Sequence, residues 1–472
     1  MRFGKRTVSA WLFCVLSFSP AGSHALSLSE AVLYVIETNP EIASAEANKQ
    51  AIEFELDQAD TFFLPRVSLE GSLGYSFNDG STTSDLPAAD DPIGGYEVSA
   101  RISQRLFDGF ETRSEIERQA YRVDAAALRV LERAEFLSLE AARVYSEVLR
   151  ARSLVALARD NVSYHRQVFA RITRAVDNGV VGFADQQQAE ERVFLAEDTL
   201  AQTILNQGEI EADFLGVVGV DPDRLSAIPR LSASLPATLD QALAVARTSN
   251  PTLRFRQADV GTAEALSRKI DANQYPSLNL EAEARYGEDV NGFEGEVQDF
   301  QVGLVLRYEF QGGQKRALRQ EHARRVGESR AQLLSQARLV EREVRQSWAS
   351  LETTRRRVAL IQRQAGLALE VRESYVREFE VGQRSLLDIL NTQSALFQAE
   401  SSLINARSLE TFIEYRVLAA MGRLLPSLGV EPPSDAIPYA AQLKSAPGVG
   451  SQPEKELLDP KSLRDWRKSL DQ

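Results

Sequence analysis

Leu64-Pro65-Arg66-Val67-Ser68-Leu69 and Tyr275-Pro276-Ser277-Leu278-Asn279-Leu280 carry one pattern twice: a bulky residue, a proline, then polar and apolar residues in alternation. The two copies stand 211 residues apart, and the same offset relates Leu28-Ser29-Glu30-Ala31 to Leu239-Asp240-Gln241-Ala242, Asn39-Pro40 to Asn250-Pro251, and Tyr75 to Tyr286. Beyond the alternating stretches the offset becomes 203, relating Phe107-Asp108-Gly109 to Phe310-Gln311-Gly312, Gly179 to Gly382 and Asp185 to Asp388. A fixed offset over such distances marks an internal duplication. The eight-residue change falls between Tyr75 and Phe107, where Asn78 to Gly95 is rich in Gly, Ser, Asp and Pro and reads as a surface loop.

Around the prolines the residues have period two. Val67, Leu69, Leu73, Tyr75 and Phe77 form one apolar set, and Tyr96, Val98, Ala100, Ile102 and Leu106 a second. Leu278, Leu280, Ala282, Ala284 and Tyr286 form a third; Phe300, Val302, Leu304, Leu306, Tyr308 and Phe310 form a fourth. Each run approaches about ten residues, the length of a tilted transmembrane strand. Aromatic residues near the ends suit interfacial girdles. This predicts one β-hairpin at 66–107 and another at 277–310. Four strands cannot close a barrel, for which about eight are needed, and an open sheet edge in hydrocarbon leaves backbone groups unsatisfied. A membrane reading therefore requires several copies to share one barrel. A soluble flap on each half is the alternative.

Farther along the chain the period changes. No proline occurs from Ile93 to Asp221 or from Ser277 to Leu425, so very long helices are permitted. Ile116, Ala120, Val123, Ala127, Val130, Ala134, Leu137, Ala141, Val144 and Val148 advance by alternating steps of four and three, which is a coiled-coil seam. Ala323, Val326, Leu333, Ala337, Val340, Val344 and Leu351 repeat it in the second copy. The predicted order is a first repeat over 26–220, with a helix, the hairpin, a long helix at 111–177 and a helix at 183–217. A linker follows at 221–236. A second repeat over 237–425 has a long helix at 314–380 and a helix at 384–421. A proline-rich tail at 426–472 is expected to wrap the helices in part and then to be disordered.

Composition narrows the function. Residues 1–25 read as a signal peptide: Arg2, Lys5 and Arg6, an apolar Val8–Phe18, and a small-x-small end at Ser23-His24-Ala25. The whole chain carries a formal charge of −13, and removing those three cations leaves −16, which argues against nucleic-acid binding. Cys14 is the only cysteine and lies in the signal, so no disulfide is expected. His165 and His322 sit in charged helical stretches and read as solvated. No P-loop, GxGxxG, G-x-S-x-G or HExxH occurs, so neither catalysis, cofactor nor metal site is expected.

The order of helix, two strands, long helix, tight Gly turn and helix, given twice, resembles the TolC-like outer membrane efflux proteins. The Asn-Pro pairs, the proline before each first strand and the Phe-x-Gly after each second strand carry that resemblance, which covers about Leu26 to Pro432. It implies an α+β membrane protein, a homotrimer with a 12-stranded barrel, four strands per protomer, in the lipid of a Gram-negative outer membrane. A long periplasmic α-helical coiled-coil barrel would continue it. It further implies a passive duct for type I protein secretion or small-molecule efflux. The partners would be a periplasmic adaptor and an energised inner-membrane transporter, ABC or proton-driven. Asp177 to Asp185 and Phe379 to Asp388 resemble that family's turns at the periplasmic tip. By that resemblance Asp185, Phe379 and Arg384 would form a gate, and Asp388 and Asn391 a pore constriction. Gly179, Val180, Gly182, Gly382, Ser385 and Leu386 would be turn residues that meet the adaptor. Phe379 lacks the hydroxyl of the tyrosine often found there, and Asn391 lacks the charge of a second acidic ring. A periplasmic coiled-coil structural or adaptor protein without a barrel is the competing reading.

Overall fold

The structure, a computed structural model, describes residues 25–76 and 91–444. Residues 1–24 of the expected signal, the segment with Asp79, Asp85 and Asp90, and the tail from 445 lie outside the described residues. The first copy comprises α1 (Leu28–Thr38), α2 (Pro40–Asp60), β1 (Arg66–Ser76), β2 (Ile93–Phe107), α3 (Glu111–Asp177) and α4 (Phe183–Val218). The second comprises α5 (Leu239–Ser249), α6 (Pro251–Asp271), β3 (Ser277–Glu288), β4 (Glu296–Arg307), α7 (Gln314–Glu380) and α8 (Leu386–Ala420), after which come α9 (Leu424–Leu428) and α10 (Ala440–Lys444).

Each repeated motif has a local mechanical reason. In the Asn-Pro pairs the asparagine caps the helix that the proline opens: Asn39 Oδ1 accepts from Glu41 N at 2.9 Å, and Asn250 Oδ1 from Leu253 N at 3.2 Å. Proline at the first helical position loses nothing, because its missing N–H would have no intrahelical partner. α8 starts at Leu386, two residues later than expected, because Ser385 is its N-cap. β4 ends at Arg307, so Tyr308 and Phe310 lie beyond the strand, on the approach to Gly312-Gly313.

The four strands form one antiparallel sheet in the order β1-β2-β3-β4, joining the two copies through β2 and β3. Both edge strands, β1 and β4, have a free side among the described residues. The register aligns like with like. Leu69, Ala100, Ala284 and Phe300 form one row across the sheet, and Val67, Ile102, Ala282 and Val302 the next. On the opposite face Ser68, Arg101, Glu283 and Gln301 align, with an Arg101–Glu283 ion pair at 2.9 Å. One row on, Arg285 Nε lies 2.6 Å from Glu97.

α3 and α7 are each 67 residues long, on the order of 100 Å of helix. All ten seam residues of α3 named above are buried. In α7 the seam is buried from Leu333 to Leu351, while Ala323 and Val326 stay accessible. The main core gathers around the middle of the helices, where α1, α3, α4, α5, α7 and α8 meet. Fully burying a side chain such as Val144 or Leu351 contributes about 1.5–3 kcal/mol. There Tyr145 Oη donates to the carbonyls of Leu26 or Ser226 at 2.7 and 2.8 Å, and Tyr415 Oη to that of Pro229 at 2.6 Å. The buried Glu414 accepts from Leu231 N at 3.0 Å and pairs with Arg230 at 2.9 Å. These bonds strap the 221–236 linker onto the helices.

The segment after α8 is also bound. The carboxylate of Glu135 accepts from Leu424 N and Leu425 N, and that of Asp124 from the backbone N–H groups of Tyr439, Ala440 and Ala441. Lys49–Asp435 at 2.8 Å and Lys444–Asp60 at 2.5 Å tie the same stretch to α2. One expectation is corrected here. His165 is not solvated but only 4 % exposed, because its position on α3 faces the α3–α4 seam despite its charged sequence neighbours. Burial and nearby Arg192 hold its pKa below the usual imidazole value.

Candidate functional site

Two helical hairpins, α3–α4 and α7–α8, end in equivalent turns. In the first, Gly179 N donates to Val176 O at 2.9 Å and Val180 N to Ala175 O at 2.8 Å. In the second, Gly382 N donates to Phe379 O and Gln383 N to Glu378 O, both at 2.9 Å. Gly179 and Gly382 adopt φ of +69° and +77°, the left-handed conformation that ends a helix at little cost only for glycine. The repeated glycine is thus a helix stop, fixed by backbone geometry.

The turns then diverge. Ser385 caps α8: its Oγ accepts from Asp388 N at 3.3 Å, and Asp388 Oδ2 accepts from Ser385 N and Oγ at 3.2 and 2.8 Å. Those bonds, and then Arg384, hold the Asp388 pKa below the usual carboxylate range. The equivalent cap of α4 is Gly182, which has no side chain, and Asp185 makes no side-chain hydrogen bond or ion pair among the described residues.

Arg384 does not meet Asp185 within one protomer. Its Nε donates to Glu378 Oε2 at 2.7 Å, and its guanidinium stacks over Tyr375, 4.1 Å from the ring centroid. Nothing in the sequence pattern singled out Glu378 or Tyr375. Phe379 is part of the packing: with Val181 it lies against a small core of Val168, Ile172, Ala189, Leu386 and Leu390 that joins the two tips. Val180 is 74 % exposed, and Asn391, Gly179, Gly182, Gly382 and Ser385 are exposed too, whereas Leu386 is buried. The turn backbones and Val180 are therefore available to a partner, and Leu386 holds the tips together.

At the other end, the sheet offers the second functional surface. Leu69, Leu73, Tyr75, Phe300, Leu304 and Leu306 are all more than half exposed on one continuous face. Soluble chains rarely leave such a patch uncovered. Among the described residues no helix is long and apolar enough to cross a membrane, and no His, Cys, Asp and Glu cluster could hold a metal ion.

A repeated α-helical hairpin beneath a shared sheet, apolar on one face and charged on the other, defines a channel protein of the outer membrane with a periplasmic helical tunnel. The chain belongs to the outer membrane efflux protein family, whose sequence profile matches residues 34–219 and 242–423. It is an export channel and not an enzyme. It is 26 % identical to the outer membrane efflux protein BepC of Brucella suis, over 85 % of this chain and 87 % of that one. It is 23 % identical to the outer membrane protein TolC of Vibrio cholerae, over 94 % and 99 %. In fold it is similar to the outer membrane protein VceC of Vibrio cholerae, with a TM-score of 0.72 at 15 % identity over 84 % of this chain and 96 % of that one.

Proposed function

We propose that three copies of this chain assemble into a passive duct. Their sheets close a twelve-stranded barrel in the outer membrane, and their helices close a periplasmic tunnel. A periplasmic adaptor docks at the tip turns, and an ABC or proton-driven inner-membrane transporter supplies the energy to export a protein or a small molecule. The observation that supports this most is the sheet: an apolar face four strands wide whose outer edges, on β1 and β4, have no partner among the described residues. In hydrocarbon an unpaired edge costs several kcal/mol per backbone group. Pairing β4 of one copy with β1 of the next removes every edge. The charged face, with Arg101–Glu283 and Arg285–Glu97, then lines water.

Asp185, Phe379 and Arg384 act at the gate in this reading. Arg384 uses Nε on its own turn, which leaves its two terminal nitrogens for a neighbour such as the unpaired Asp185. Asp388, repeated by threefold symmetry, forms an acidic ring, and the uncharged Asn391 one turn on adds polarity without charge. An acidic ring in a narrow pore concentrates cations. Single-channel recording in planar bilayers tests the gate: Arg384→Ala and Asp185→Ala each raise conductance above wild type, and unchanged conductance in both sinks it. Crosslinking from Val180 in cells tests the docking: recovery of a periplasmic protein with an inner-membrane transporter supports it, and crosslinks confined to this chain reject it.

A further inference from the structure

Within one protomer the helices lie side by side in the order α4, α3, α8, α7, so α4 and α7 are the two outer members. Each carries a second seam that none of the described residues covers. On α4, Phe194, Ala201, Leu205, Gly208, Ala212 and Leu215 advance by threes and fours and are all exposed; Phe194 is 62 % and Leu205 57 % accessible. Two further positions of that seam, Glu191 and Asp198, are acidic. On α7, Leu339, Leu360 and Leu367 fall on an exposed seam of the same spacing, Leu360 at 66 % and Leu367 at 61 %. Its charged positions between Leu339 and Leu367 are Arg342, Arg356 and Arg363, and the next position, Glu370, is acidic. Among the described residues Asp198, Arg356 and Arg363 make no ion pair, although most arginines of α3 do.

We infer that α7 of one copy packs antiparallel on α4 of the next, and that Asp198 of the α4 seam facing Arg363 of the α7 seam fixes the register of that contact. The inference rests on the trimeric reading above and adds the residues that decide how neighbours align. Three observations support it. The first is sign: between Leu339 and Leu367 the charged positions of the α7 seam are all basic, while the α4 seam carries acids and no base. The second is height. The two hairpin tips are level, joined by one apolar cluster. Asp198 stands 15 residues up from the start of α4 and Arg363 17 residues up from the end of α7. The difference is about 3 Å along the axis. The same count sets Phe194 beside Leu367 and Leu205 between Arg356 and Leu360. The third is Gly208, whose added Cβ would meet nothing within 4 Å in the protomer. A glycine inside a helix costs about 1 kcal/mol relative to alanine, so close approach of another backbone gives it a reason.

The test uses the full chain purified in detergent, with trimer fraction read by light scattering at low and high salt. Asp198→Arg and Arg363→Asp each place like charges across all three interfaces, and each loses at least half of the trimer at low salt. The double variant Asp198→Arg/Arg363→Asp restores the wild-type fraction. Misfolding of the single variants would make the double worse, so recovery separates pairing from damage. Single variants at the wild-type fraction, or a double no better than the singles, overturn the inference while leaving the trimer standing. A wild-type chain that is monomeric overturns the trimeric reading and this one together.

Discussion

Glu135 is buried in the first half of α3 and accepts two backbone N–H bonds, from Leu424 and Leu425. Burial pushes its pKa up from 4.5 to about 7, more than those bonds and the nearby Arg423 can offset. The folded protein then binds a proton that the unfolded chain releases between pH 4.5 and 7. Stability falls as pH rises through that window and levels off above 7. Glu135→Gln removes the titration. Relative to it, the wild type loses on the order of 2–3 kcal/mol between pH 5 and 8. Thermal unfolding in detergent across that range checks the difference; parallel curves for the two proteins reject the assignment. Glu135 also shows where sequence reading stops. Its partners lie 289 and 290 residues away and no local pattern announces them. His165 was misread for the same reason: neighbouring charges describe a helix's composition, whereas burial depends on which face packs. Gly179 and Gly382 were legible because a helix stop is a local backbone requirement, satisfied within five residues.

At the level of elements, the duplication permits a controlled comparison. α4 and α8 begin at equivalent turns, yet only α8 has a side-chain cap. Ser385→Ala removes a capping box and costs about 1 kcal/mol locally. Gly182 has φ −79° and ψ 159°, open to any L residue, so Gly182→Ser lets Asp185 complete the missing box and gains a few tenths of a kcal/mol. Hydrogen exchange of the first-turn amides reads both: faster in α8 for the first variant, slower in α4 for the second. Equal exchange in all three proteins would show that the caps are idle. The strands permit a sharper contrast. Val302 belongs to the apolar face and Gln301 to the charged one. Arginine on a lipid-facing position near mid-barrel costs about 2–4 kcal/mol. Val302→Arg therefore depletes the outer-membrane fraction of assembled protein, and Gln301→Arg does not. Depletion by Gln301→Arg and not by Val302→Arg would mean that the faces have been assigned the wrong way round, and equal depletion by both, or by neither, would reject a lipid-facing sheet. Alternation made the two faces legible before any coordinates. It could not show that β2 pairs with β3 across the duplication, because pairing between halves depends on how the long helices bring them together.

For the whole molecule, the proposed orientation in the membrane agrees with where length varies. The two copies match at their helix turns and differ by eight residues between the strands of the first hairpin. The proposed duct puts the β1–β2 connection outside the cell and the tips at Val180 and Gly382 in the periplasm, and insertions survive where nothing packs. The lone cysteine, Cys14, falls in the expected signal, so a cysteine introduced into the mature chain is unique. Ser81→Cys then reacts with a membrane-impermeant maleimide on intact cells. Val180→Cys, on a residue that is 74 % exposed, reacts only once the outer membrane is opened. Equal labelling of both positions in intact cells would mean a porous or disordered assembly. The reverse order would invert the proposed barrel and with it the placement of the proposed gate, because Arg384 and Asp185 are on the same tips as Val180. The labelling therefore tests more than topology. Only if the tips face the periplasm can a transporter of the inner membrane reach the turns that hold Arg384 on Glu378, and only then can engagement and opening be one event.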